Sequence, residues 1–238
     1  QTLPLCPPSR LRDELLKDLY GGVSARWFSL AADSGLFLQL FQIYKSHLDS
    51  SGKDKLPIRQ QIEQILTVID RTNHYFVSNA LSRPRDFFLL ALVLLPWAMQ
   101  KHQLMEVHFK GPERFNLSLR IRDDIDSLIA RQLNLRKSLR QEIVTLMINL
   151  PFLIHHRRKG YWPKWLKRKS YFPKCSLFYY YYMEAYNDQL VPDSVLDARA
   201  IKKGEQNHTQ KQRSRSRKRR NSYPRKSKTN IFGLKNKN

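Results

Sequence analysis

From Phe87 to Met99 the chain is apolar at every position, FFLLALVLLPWAM, in a sequence that is otherwise strongly basic. A membrane span needs about 20 such residues, and this run is bounded by Arg85 and Asp86 on one side and Lys101 and His102 on the other. Its length favours a helix over a strand, and because it is apolar all round it predicts a central helix covered by others. Pro84 suits an opening turn, and Pro96 is expected to kink or end the helix near Leu95. Ile58, Ile62, Ile65 and Ile69 recur at helical spacing and predict an amphipathic helix against the central one. Leu117, Ile121, Ile125 and Leu128 form a second stripe, and Leu135, Leu139, Ile143, Leu146 and Leu150 a third. Pro151 is expected to interrupt there, with a new turn over Phe152 to His156.

The N-terminal part reads as an extended lead-in over residues 1–8 followed by three short helices. The first has Ser9 as N-cap and Leu11, Leu15 and Leu19 on one face; Ser24 caps the second, which carries Trp27, Phe28 and Ala31 and closes at Gly35. Leu36, Phe37, Leu40 and Phe41 begin the third, and 49–55 is a loop by composition. The run Phe178 to Tyr182 has high strand propensity, but its position after six helices predicts a helix. The fold class expected is all-α: a helical body over 1–150, a basic aromatic segment over 151–200, and a disordered Arg/Lys-rich tail over 201–238.

Charge changes the picture. The chain holds 43 Lys and Arg against 20 Asp and Glu, a net +23 over 238 residues. The tail supplies +13 of this (fourteen basic residues less Glu205), leaving +10 on residues 1–200. Such a charge implies a polyanionic partner. Residues 155–169, HHRRKGYWPKWLKRK, combine seven cations with Tyr161, Trp162 and Trp165. Cations neutralise phosphates and flat rings stack on unpaired bases, so Arg157, Arg158, Lys159, Lys164, Trp165, Lys167, Arg168 and Lys169 are candidate RNA contacts. In the tail, Arg213, Arg215, Arg217, Lys218, Arg219 and Arg220 form an electrostatic arm with nothing to bury. Arg136, Lys137 and Arg140 are weaker candidates, since helix starts often carry solvated cations. Each tryptophan alone reads as a packing residue.

The residue pattern holds no complete catalytic constellation. Asp124 and Asp126 have DxD spacing, but they sit in the helical stretch RIRDDIDSLI with no Gly-Ser turn before them, and read as a solvated face. There is no Gly-rich phosphate loop, HExxH or CxxC. No metal site and no catalytic residue is expected in this chain. Cys6 and Cys175 lie far apart with no signal-peptide pattern, which points to reduced thiols in a cytoplasmic protein. The first residue is Gln1 rather than Met, so a processed chain or part of a longer one is expected.

Six segments in order, PPSRLRDELLKDLYGG, SLAADSGLFLQLF, IEQILTVID, FFLLALVLLPW, LNLRKSLRQEI and the arginine-rich C-terminus, resemble the C-terminal half of bacterial poly(A) polymerase. This is a nucleotidyltransferase family that includes the tRNA CCA-adding enzymes. The resemblance covers about residues 5–169 and the tail by composition. It implies an all-helical body and leg that hold RNA, with a catalytic head outside this chain. That head, with Mg²⁺ and ATP, transfers AMP to RNA 3′ ends, and no cofactor is implied for these residues themselves. The basic tail is similar to the one that separates poly(A) polymerase from its CCA-adding relatives. Where the family has Phe-Arg-Ala and Tyr-Asp in a helix, this chain reads SYFPKCSLFYYYY with Pro173 inside it, a departure in the leg region. Three other readings stay open: a tRNA CCA-adding relative, a stand-alone RNA-binding or ribosome-associated protein, and a basic helical protein for an anionic membrane or a protein partner. The last ranks lowest because no strongly amphipathic membrane-surface helix is present.

Overall fold

The computed structural model describes residues 6–45, 57–105, 111–158 and 160–197. The described residues hold nine bounded α-helices and a further helical segment at 193–197, with no strand among them: α1 Pro8–Tyr20, α2 Ser24–Asp33, α3 Leu36–Leu40, α4 Ile58–Ser78, α5 Asp86–Lys101, α6 Gly111–Ile125, α7 Lys137–Arg157, α8 Lys164–Lys167 and α9 Phe172–Asn187. A 3-10 turn, Gln42–Tyr44, follows α3, and a π-helical segment, Asp126–Ala130, extends α6. The all-α expectation holds. The predicted tail, the loop at 49–55 and the first five residues of the lead-in lie outside the described residues.

The apolar run forms α5, and every residue from Phe88 to Ala98 is buried. Helices α4 and α7 pack along it, and Phe88 meets Phe178 and Tyr181 of α9 edge-on, at 5.7 and 5.1 Å between ring centres. The helix does not end near Leu95 but continues past Pro96 to Lys101. Proline removes a hydrogen bond and crowds the preceding turn, a cost of about 3 kcal/mol. Here Tyr44 inserts at the break: its hydroxyl donates to the Val93 carbonyl at 2.5 Å and accepts from the Trp97 N–H at 3.4 Å. The phenol is fully enclosed, and burial holds it protonated far above the ordinary tyrosine range.

Pro151 likewise fails to interrupt its helix, and α7 runs unbroken through it to Arg157. Leu146, Met147, Leu150 and Leu153 are all buried on this helix. At about 1.5–3 kcal/mol for each buried side chain, continuing the helix outweighs one proline. The expected seam at 150/151 therefore falls inside α7. Pro173 does not break a helix either; it stands in the opening turn of α9, where a missing N–H costs nothing. In α9 the tyrosine run faces three neighbours at once: Phe178 and Tyr181 toward α5, Tyr179 toward Trp162, and Tyr186 toward Gln61 of α4, to which its hydroxyl bonds at 3.2 Å. A strand, with only two faces, could not distribute these rings so.

Ser9 and Ser24 do not act as side-chain caps; the capping positions are Pro7 and Val23. Instead Asp70 of α4 caps α2 from across the fold, accepting from the Ser24 N–H and hydroxyl, both at 2.8 Å, and from the Ala25 N–H at 3.0 Å. The carboxylate thus satisfies orphan donors and meets the positive end of the helix dipole. Between α1 and α2, Gly22 holds φ at +79°, and a Cβ there would lie 3.2 Å from the His74 ring of α4. Helix α9 is clamped to α4 by Arg71, whose Nε and Nη2 fork onto both oxygens of the buried Glu184, the Nε bond being 2.6 Å. Glu184 also accepts from the Val191 N–H at 2.7 Å. Residues 151–197 therefore pack into the same compact unit as the helices before them.

Candidate nucleic-acid interface

Between Glu142 and Glu184 the sequence contains no carboxylate and eight Lys or Arg. The fold gathers Arg158 and residues 164–169 at the C-terminal end of α7, while Lys174 pairs with Glu142 nearer the start of that helix. Only Leu166 of the four-residue α8 is buried, which anchors the turn and leaves Lys164, Trp165 and Lys167 facing solvent. Arg158, Arg168 and Lys169 are exposed as well, and none of these five cations makes an ion pair among the described residues. Lys159 and the tail arginines Arg213, Arg215, Arg217, Arg219 and Arg220, with Lys218, lie outside the described residues.

The tryptophans divide. Trp162 is 7% exposed, and its indole N–H donates to the Leu153 carbonyl at 3.2 Å. Phe172, Tyr179 and Tyr180 meet its ring edge-on at 5.2–5.8 Å. Trp165 is 49% exposed and leans edge-on against Phe152 and His156, with ring centres 5.9 and 5.6 Å away. Tyr161 is 67% exposed, so two rings and five unpaired cations share this surface.

Arg157, predicted as a phosphate contact, is occupied within the fold. Its guanidinium lies 5.1 Å from the Trp162 ring centre and donates to the Gly160 carbonyl at 2.8 Å. It closes the turn between α7 and α8. Of the weaker candidates, Arg140 is bound to Asp126, while Arg136 and Lys137 are exposed.

Asp124 and Asp126 do not form a solvated face. Asp124 pairs with Lys101 at 2.9 Å and stands 3.0 Å from His102 Nε2, joining α6 to the end of α5; Asp126 pairs with Arg140 of α7. Burial pushes the His102 pKa below its ordinary value, against the pull of Asp124. With cations already in place these carboxylates do not fit a Mg²⁺ pair, and no cluster of three metal-ligating side chains exists among the described residues. Both cysteines are free; burial raises the Cys175 thiol to about 12. No helix among the described residues is long and apolar enough to cross a membrane.

A second cation-bearing region lies at the N-terminal end of the fold. Arg10, Arg26 and Lys45 are exposed there and unpaired among the described residues, whereas Arg12 is held by Asp13 at 2.7 Å and by the Asn134 carbonyl at 3.2 Å. None was singled out from sequence, because single cations on short amphipathic helices look like ordinary surface. The signal available was the segment PPSRLRDELLKDLYGG, one of those carrying the resemblance.

No curated protein and no solved structure matches the chain. Residues 1–48 match the family described as the probable RNA and SrmB-binding site of polymerase A, so this part of the chain is similar to an RNA-binding region of poly(A) polymerase.

Proposed function

We propose that this chain is the RNA-holding portion of a poly(A) polymerase-like nucleotidyltransferase, with the adenylyl transfer, its ATP and its Mg²⁺ belonging to a catalytic head elsewhere in the protein. The observation that carries the reading is the match of residues 1–48 to an RNA-binding region of polymerase A. The cations and rings at the C-terminal end of α7 and on α8, in a stretch of sequence without carboxylates, support it. Arg158, Lys164, Lys167, Arg168 and Lys169 neutralise phosphates there, while Trp165 and Tyr161 offer rings to unstacked bases. Arg213, Arg215, Arg217, Lys218, Arg219 and Arg220 add charge by their sequence alone. Contacts of this kind hold RNA with little sequence preference, as suits a protein that must accept many 3′ ends. Two free cysteines are compatible with a reducing cytoplasmic setting.

Filter binding of single-stranded RNA across a salt series tests the binding. Each neutralised phosphate contributes about −0.7 to the log–log slope, so the five exposed cations alone predict about −3.5, steeper with the tail. A slope near zero contradicts the reading. The enzymatic part is tested separately: the intact product of the native gene incorporates labelled AMP onto RNA 3′ ends, and a native product of 28.3 kDa without that activity leaves a non-catalytic RNA-binding protein.

A further inference from the structure

A cleft of about 550 Å³ opens between the start of α1, the turn after α3, and the π segment. Pro8, Leu11 and Leu128 give it apolar walls, Gln39 and Gln42 contribute side-chain amides, and Lys45 and Arg131 contribute cations. Among the described residues no carboxylate lines it, although Ser127 and Arg131 of its wall also border a smaller pocket that includes Asp123 and Asp126. Two tethers hold its walls in place: Arg12 Nη1 donates to the Asn134 carbonyl at 3.2 Å, and the Gln132 amide donates to the Gln39 carbonyl. The amides of Gln39 and Gln42 and the Lys45 ammonium have no partner among the described residues and are exposed. The π segment is itself notable, since such insertions recur at functional sites because they re-aim the side chains that follow.

We infer that this cleft receives a single unstacked nucleotide of the bound RNA, with Lys45 and Arg131 on its phosphate and Gln39 and Gln42 on the edge of its base. The inference rests on the RNA-binding reading and adds a pocket to it. A volume of this size suits a small organic ligand rather than a bare ion, and sites of about 300–1,000 Å³ characteristically pair apolar walls with a few polar groups. Primary amides offer both donor and acceptor, the combination needed against a base edge. Lys45 and Arg131, with no carboxylate among the described lining residues, favour an anion, and the apolar walls accept the face of a ring. No aromatic residue lines the cleft among the described residues, so recognition there depends on the amides rather than on stacking.

The test uses the full chain with each of the four nucleoside 5′-monophosphates, ribose 5-phosphate and a single-stranded RNA of about ten nucleotides, within the usual range of single-strand site sizes. Saturation-transfer NMR should show contact to base protons of at least one monophosphate. The Gln39→Ala/Gln42→Ala variant should lose that signal and weaken RNA binding about tenfold. Its salt slope should not change, since the amides carry no charge, while Arg131→Ala should flatten the slope by about 0.7. These residues are exposed, and unchanged thermal unfolding confirms that the variants fold. Base-proton contact that survives the double variant, or ribose 5-phosphate competing as well as every nucleotide, overturns the pocket while leaving RNA binding intact. A poly-glutamate peptide displacing the monophosphates as effectively as RNA also overturns it, by showing a site for acidic protein. If the unaltered chain binds no RNA at all, the broader reading fails with it.

Discussion

The two cationic regions of this protein are built in contrasting ways. At the C-terminal end of α7, residues 152–169 supply charge and rings from one continuous stretch, displayed on open surface and hung on the buried Leu166 and Trp162. Near the N-terminal end of α7, residues 6–45 and 127–132 meet across the fold around a concave cleft. A helix of 21 residues separates them, about 32 Å at 1.5 Å per residue. An open display of cations holds any phosphate backbone, whereas a walled cleft can discriminate what enters it. The difference suggests a division of labour: affinity at one end, selectivity at the other.

The contrast within the open surface breaks most sharply at its tryptophans. Trp162→Ala removes a buried ring packed by three others and should destabilise the fold by about 3–5 kcal/mol, read as a large fall in the midpoint of chemical unfolding. The quadruple change Arg158→Ala, Lys164→Ala, Lys167→Ala and Arg168→Ala should leave folding intact, lower RNA affinity at low salt on the order of a hundredfold, and flatten the salt slope by about 3. Trp165→Ala should cost about 1–3 kcal/mol of RNA binding with the melting temperature unchanged, the opposite pattern to Trp162→Ala. On the concave side, Tyr44→Phe should cost about 1–2 kcal/mol of stability, seen by calorimetry, because the hydroxyl that bridges α5 at Pro96 belongs to the turn carrying Gln42. A Tyr44→Phe protein as stable as the parent would mean that this turn is not anchored through the core.

Much of the fold was legible because periodicity and burial agree: Ile58 to Ile69 and Phe87 to Met99 read directly as α4 and α5. The prolines were misleading for a physical reason. A cost of about 3 kcal/mol decides the fate of an isolated helix, but not of one whose flanks bury many side chains or, at Pro96, receive a hydroxyl from another element. The contiguous surface of α7 and α8 was visible as a charge run with rings, yet its division into a core Trp162 and an exposed Trp165 depends on α9, which no local pattern encodes. Arg157 is the same case, drawn inward by the Trp162 ring. Asp124 and Asp126 read as solvated because their partners Lys101, His102 and Arg140 belong to other helices. The cleft was wholly illegible: Gln42 and Arg131 are ordinary surface residues until α3 and the π segment meet.

The measurement that tests the central claim most directly is photochemical cross-linking of single-stranded RNA to the full chain, with the attachment sites located by mass spectrometry. The account predicts attachments clustered on the peptides carrying Tyr161 and Trp165, with a second set on residues 6–45 or 127–132. Attachments confined to other faces, with neither region marked, would contradict it.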